Sequence, residues 1–143
     1  MERQTIVNAP AEKVFSYVAD LPRHGEWAAH KLKITQSSQG AVGVGTTFDS
    51  VGHQMGRDNA DKVTITEYAP NEKLVFEAEG PEGIFRHRFS LQAEGGGTRV
   101  VKGMEAVKTS LMTKLMTPMI MLMGPRLLDG DLQRIKAKVE SSG

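Results

Sequence analysis

The sequence predicts an α+β domain: an antiparallel sheet with one apolar face, covered by a long C-terminal helix. Three observations lead there. Most of residues 31–108 alternates with period two and is interrupted by glycine, proline and asparagine turns. Residues 128–139 instead carry Leu128, Leu132, Ile135 and Val139 at helical steps, opposed by Asp131, Arg134 and Lys138. The breaks between strands are short, and tight turns join antiparallel neighbours. Only the last helix is long enough to cover such a sheet.

Each element has its own signal. Gln4 to Asn8 is a short β-branched strand. Asn8-Ala-Pro10 starts a helix, with Asn8 or Ala9 near the cap and Pro10 near the first turn. Val14, Phe15, Val18 and Leu21 mark its buried face, and a second short helix is expected to carry Glu26, Trp27 and Ala28. Strands follow at Lys31 to Gln36, Thr46 to Gly52, Asn59 to Tyr68, Lys73 to Gly80, Ile84 to Ala93 and Thr98 to Lys108. The clearest alternation sets Phe85, His87, Phe89 and Leu91 against Arg86, Arg88, Ser90 and Gln92. If Glu94 faces Gly97 across the triple-glycine turn, Leu91 pairs with Val100, Phe89 with Lys102 and His87 with Met104. Lys102 then falls on the apolar side. Between Leu111 and Glu140, Pro118 and Gly124-Pro125 predict a kinked or two-piece helix. The methionines crowded there are polarizable and suit an apolar surface that conforms to variable shapes; ordinary core is the alternative.

Composition narrows the function. The 143 residues fit a single domain over 1–143 without internal repeat or linker. Lys and Arg number 18 against 17 Asp and Glu, with no concentrated arm of one sign, so nucleic acid is not an expected partner. The absence of cysteine excludes disulfides, thiolate metal sites and a cysteine nucleophile. Lys114 and Pro118 interrupt the methionine-rich run well short of a membrane span, and no signal-peptide core opens the chain, so a cytoplasmic protein is expected.

His87 is the most informative polar residue, because it stands between two phenylalanines on the inward face of its strand. A neutral imidazole there can bond a ligand oxygen or act as acid or base; local satisfaction within the core is the other reading. An inward Lys102 needs a partner and is suited to an anionic group such as a carboxylate, unless its stem lies along the strand with the charge in water. Asp49, His53, Arg57, Asp58 and Asp61 gather around a glycine-bearing segment, His53 to Arg57, without a recognised metal-ligand spacing. His24 and His30 flank Trp27 and are expected to be exposed. The sequence has no nucleophile elbow, phosphate loop or dinucleotide fingerprint, so neither metal nor cofactor is expected.

Several segments, taken in order, resemble the SRPBCC superfamily of START-like, helix-grip proteins, and within it the polyketide cyclase/dehydrase-type bacterial branch. They are Asn8-Ala-Pro-Ala-Glu-Lys-Val-Phe15, Asp20-Leu21, Trp27, Gly45-Thr46, Gly97-Thr-Arg-Val100 and the helix from Leu128 to Glu140, spanning almost the whole chain. The resemblance implies a curved sheet of about seven strands gripping the C-terminal helix, with a cavity between them for lipids, sterols or polyketides. Its expected wall is Phe48, Val63, Ile65, Leu74, Phe76, Phe85, His87, Phe89, Lys102 and Met104. Trp27 and Met112, Met116, Met119 and Met123 would close it. Binding or transport of a hydrophobic small molecule is the first functional expectation. The alternatives are a cyclase or dehydratase that moves a proton at His87, with Lys102 or Asp49, and an interaction module or homodimer formed through the methionine-rich segment.

Overall fold

The computed structural model describes residues 1–54 and 56–142, with Gln54 described by its backbone alone. Its elements are β1 (Glu2–Val7), α1 (Ala11–Val18), a 3-10 helix (Leu21–Glu26), β2 (Lys31–Gln36), β3 (Thr47–Gln54), β4 (Arg57–Ala69), β5 (Lys73–Gly80), β6 (Gly83–Glu94), β7 (Gly97–Thr109), α2 (Leu111–Leu115) and α3 (Thr117–Ser141).

The strands form one antiparallel sheet in the order β1-β7-β6-β5-β4-β3-β2. Five hairpins follow sequence order, and β1 closes onto β7 at the far side, with Thr5 opposite Val100. The β6–β7 register matches the expected one: Glu94 faces Gly97, Leu91 faces Val100, Phe89 faces Lys102 and His87 faces Met104. Register shifts between Ile65 and Glu67 and between Ile84 and Phe85 bend the sheet, as bulges do. The result is a curved sheet with a concave inner face.

Both short helices lie between β1 and β2, the two edge strands, and carry the chain across one end of that face. Helix α1 begins one residue later than expected, with Pro10 as its N-cap, and buries Val14, Phe15, Tyr17 and Val18. Phe15 meets Tyr68 of β4 edge to face at 5.4 Å. The second helix ends at Glu26, so Trp27 follows it as the capping residue instead of lying within it.

Helix α3 lies over β1 and β7 and buries Gly124, Leu128, Leu132, Ile135 and Val139, the predicted stripe extended by one residue. Its C-terminal end is fastened to the start of the chain. Lys136 Nζ donates to the Ile6 carbonyl at 2.7 Å, and the Asn8 amide donates to the Glu140 carboxylate at 2.8 Å. The break in the C-terminal helix falls at Met116, one residue before α3, with Pro118 in the first turn of α3. Gly124-Pro125, the other expected break, is carried within α3.

Candidate ligand-binding site

The expected wall residues divide into three groups. Phe48, Val63, Ile65, Leu74, Phe76 and Phe89 are fully buried and belong to one packed cluster with the inner faces of α1 and α3. Phe85, His87 and Met104 share that face of the sheet but keep part of their surface accessible. The methionines form the third group. Met112, Met119 and Met123 are exposed and Met116 is half-buried, so they do not close over Trp27 as expected. The reason is the path of α3. Its stripe seats Gly124 and Leu128 over β1 and β7, with Gly124 against the Met1 side chain, and no residue of α3 before Gly124 is buried, so the methionines of this half stay at the surface.

Between the packed and the half-open groups lies a cluster of polar side chains on an apolar floor. Lys102 is 4% exposed, with Nζ 5.6 Å from the Trp27 ring centroid and 5.5 Å from that of Phe89. Its carboxylate partner is Asp131 of α3, at 3.8 Å. Asp131 also accepts from Arg134 Nη2 at 2.7 Å, and Arg134 Nε donates to the Trp27 carbonyl. One chain of contacts thus joins β7, α3 and the segment after the 3-10 helix. Burial pushes the Lys102 ammonium below the usual lysine range, and Asp131 pulls it partly back.

Contrary to the expectation from helical spacing, Asp131 does not take the outward face with Arg134 and Lys138. It stands one turn before Ile135, and that spacing of four puts it at the edge of the buried stripe.

His24 is a second departure, because the histidine expected at the surface is 2% exposed. Its ring lies against Trp27 at 4.7 Å, Phe76 at 5.7 Å and Phe89 at 6.3 Å. Nε2 donates to the Val18 carbonyl at 2.7 Å, which leaves Nδ1 as the bare nitrogen of the neutral ring. Burial lowers its pKa from 6.5 to about 4, against the bond to Val18. The apolar spacing of Leu21 to His24, three residues on one side of a 3-10 turn, was the signal for this burial.

His87 stacks on Phe76, with centroids 5.0 Å apart and planes 12° from parallel. Protein surrounds it closely enough that burial, with the nearby Lys102 and His24, lowers its pKa to about 3. The residue as a whole is nevertheless only half-buried. Trp27 Nε1 is buried and has no hydrogen-bond partner, the one such side-chain atom among the described residues.

The remaining candidates lie apart. Asp49 is exposed on β3, opposite Lys62, and points away from the inner face. His53 and Asp58 form an exposed pair at 2.7 Å beside the β3–β4 turn, whose Met55 lies outside the described residues. No three metal-ligating side chains come together among the described residues. Grooves of about 320 and 240 Å³ lie beside Met1 and at the β5–β6 turn, and neither includes Trp27, His87 or Lys102. No helix among the described residues is long and apolar enough to cross a membrane.

The chain is similar along its whole length to several solved structures. A START superfamily protein from Mycobacterium smegmatis superposes with a TM-score of 0.81 at 16% identity, covering 100% of this chain and 98% of that one. A Thermus thermophilus protein, TTHA0849, gives 0.80 at 18% identity, covering 100% and 98%. The Zhui aromatase/cyclase of a Streptomyces species gives 0.79 at 15% identity, covering 98% and 92%. These likenesses establish the helix-grip fold. No curated protein matches the chain in sequence. The sequence model described as "Polyketide cyclase / dehydrase and lipid transport" matches residues 1–140, and the chain belongs to that family.

Proposed function

We propose that this protein binds an apolar small molecule carrying one polar oxygen group. The molecule lies on the inner face of β6 and β7, with its oxygen directed at Lys102 and Trp27 Nε1. The observation that carries this reading is the half-open stretch of Phe85, His87 and Met104 on a face that is otherwise packed core. Apolar walls with a few convergent polar groups are what small-molecule sites offer. At the deep end, a carbonyl or carboxylate would satisfy the unpaired indole N–H and the cation together. The family's description, which couples polyketide chemistry with lipid transport, supports a ligand of this class.

A cyclase or dehydratase role is the second reading, and the fold it shares with an aromatase/cyclase favours it. Its proton acceptor would be His87. A base works best with a pKa near the working pH, and His87 at about 3 is neutral but weakly basic. That imbalance favours binding over proton transfer.

Native mass spectrometry of protein purified from its own host tests the proposal. The expected spectrum shows an adduct that disappears on denaturation. A ligand held at about a hundredfold over its Kd adds about 2.7 kcal/mol to the native state, so the same ligand raises Tm. Absence of an adduct, together with no thermal shift across fatty acids and hydroxylated polycyclic aromatics, would overturn the reading.

A further inference from the structure

The largest feature that the interior site does not use is the apolar surface of α2 and the first half of α3. Leu111, Met112 and Leu115 of α2 are exposed, as are Met119, Leu122 and Met123 of α3; Leu115 and Leu122 expose 73% and 72% of their surface. On α3, the residues 119, 122, 123 and 126 fall on the side opposite Gly124 and Leu128. Met121, on the same side as Gly124, is 62% exposed as well, and no residue of α3 before Gly124 is buried, so this half of the helix is apolar and open to solvent around most of its circumference. A run of this kind on a monomer's surface marks a contact with something apolar.

The charges around it identify the occupant. No acidic residue occurs from 106 to 128, between Glu105 and Asp129, whereas Lys108, Lys114 and Arg126 all fall there and all are exposed. The rest of the chain is nearly balanced, so the bias is local. A second copy of the same face would set these cations against one another. Glu82 stands beside the start of α2, where its carbonyl accepts from Ser110 and Thr113, so cations predominate around the face without being alone there. An apolar face bordered mainly by positive charge complements a bilayer surface rich in anionic phospholipid, where side chains enter the acyl boundary and cations remain among the headgroups. We propose that α2 and the first half of α3 dock this protein on an anionic membrane surface, lying in the interface without crossing it. The surface is independent of the inner-face site and stands whether or not that site binds a ligand.

Co-sedimentation of the full chain with vesicles tests the proposal. Vesicles of phosphatidylcholine mixed with phosphatidylglycerol should pellet the protein, vesicles of phosphatidylcholine alone should pellet much less, and added salt should weaken the binding. Leu115→Asp with Leu122→Asp should reduce partitioning at least about tenfold. Lys114→Gln and Arg126→Gln should each cost about fivefold on anionic vesicles only. Circular dichroism and the fluorescence of Trp27 should be unchanged in the variants, because the substituted side chains are at the surface. Equal pelleting by all variants, no pelleting by anionic vesicles, or a dimer that the aspartates dissociate without any vesicle binding would each overturn it.

Discussion

Lys102 concentrates the energetics of the inner face in one side chain. A buried ammonium is unfavourable unless paired, and here a carboxylate at 3.8 Å and two aromatic faces offset the loss of water. The two partners are not equivalent. Asp131 keeps Arg134 when Lys102 is removed, whereas Lys102 keeps no anion when Asp131 is removed. Lys102→Met is therefore expected to leave Tm unchanged or raise it, while Asp131→Asn costs about 3 kcal/mol; thermal denaturation of the two variants checks the asymmetry. Equal losses would contradict it. The histidines set the acid limit. Folding lowers the pKa of His24 from 6.5 to about 4 and that of His87 to about 3, so the unfolded chain takes up protons first as pH falls. Stability is then fully present above about pH 6.5 and is lost on acidification, with His24 alone contributing about 3 kcal/mol of that loss. Denaturant midpoints measured from pH 8 to pH 4 check the sign. His87→Phe, which preserves the stack on Phe76, should flatten the profile. The inward direction of Lys102 was legible in the sequence, because one turn fixed the register of two strands. Asp131 and His24 were not read, because polar residues at the margin of an apolar stripe were assigned to solvent by type instead of by position.

At the scale of elements, strands were the most legible. The segment from Lys73 to Gly80 was bounded by turns at both ends and is β5 residue for residue, and Lys31 to Gln36 is β2. Alternation and turn chemistry agree there, so local preference and tertiary packing agree as well. One consequence is testable at the start of β7. A Cβ on Gly97 would stand 2.6 Å from the Val7 carbonyl oxygen, a backbone atom of the paired edge strand. Thr98 beside it donates to the buried Ala9 carbonyl at 2.7 Å, so the strand has no slack to move. Gly97→Ala is expected to cost about 2 kcal/mol, or roughly 8 °C in Tm, and an unchanged melting curve would contradict the close approach. The C-terminal segment was the least legible element. Periodicity identified Leu128, Leu132, Ile135 and Val139, but methionine is as compatible with an exposed docking face as with a core, and its spacing does not choose between them. The structure leaves the first half of α3 outward with few packed side chains. Hydrogen exchange should therefore be faster across 117–123 than across 128–139, where the helix is anchored to β1.

Across the whole molecule, the inner face of the sheet divides into two regions that differ in burial. At one, α1, the 3-10 helix and the second half of α3 fill the concave face with a packed core. Toward the other, Phe85, His87 and Met104 remain half-open while Lys102, Asp131 and Trp27 lie beneath the helix. Sequence reasoning reached the sheet, the helix and the sidedness of the strands, because each follows from the pattern of apolar residues. The division between filled and open regions depends on where α3 sits along β1 and β7, a tertiary choice that no local period encodes. Trp27 is the natural reporter of the proposed site, since it is the single tryptophan of the chain and is buried against Lys102. The decisive measurement is its fluorescence during titration with fatty acids and hydroxylated polycyclic aromatics, in the wild type and in Lys102→Met. The account predicts a saturable spectral change in the wild type, and in a correctly folded Lys102→Met an affinity at least about tenfold weaker for ligands bearing a carboxylate or acidic hydroxyl. A Trp27 signal that no ligand alters, or one that saturates identically in both proteins, would contradict it.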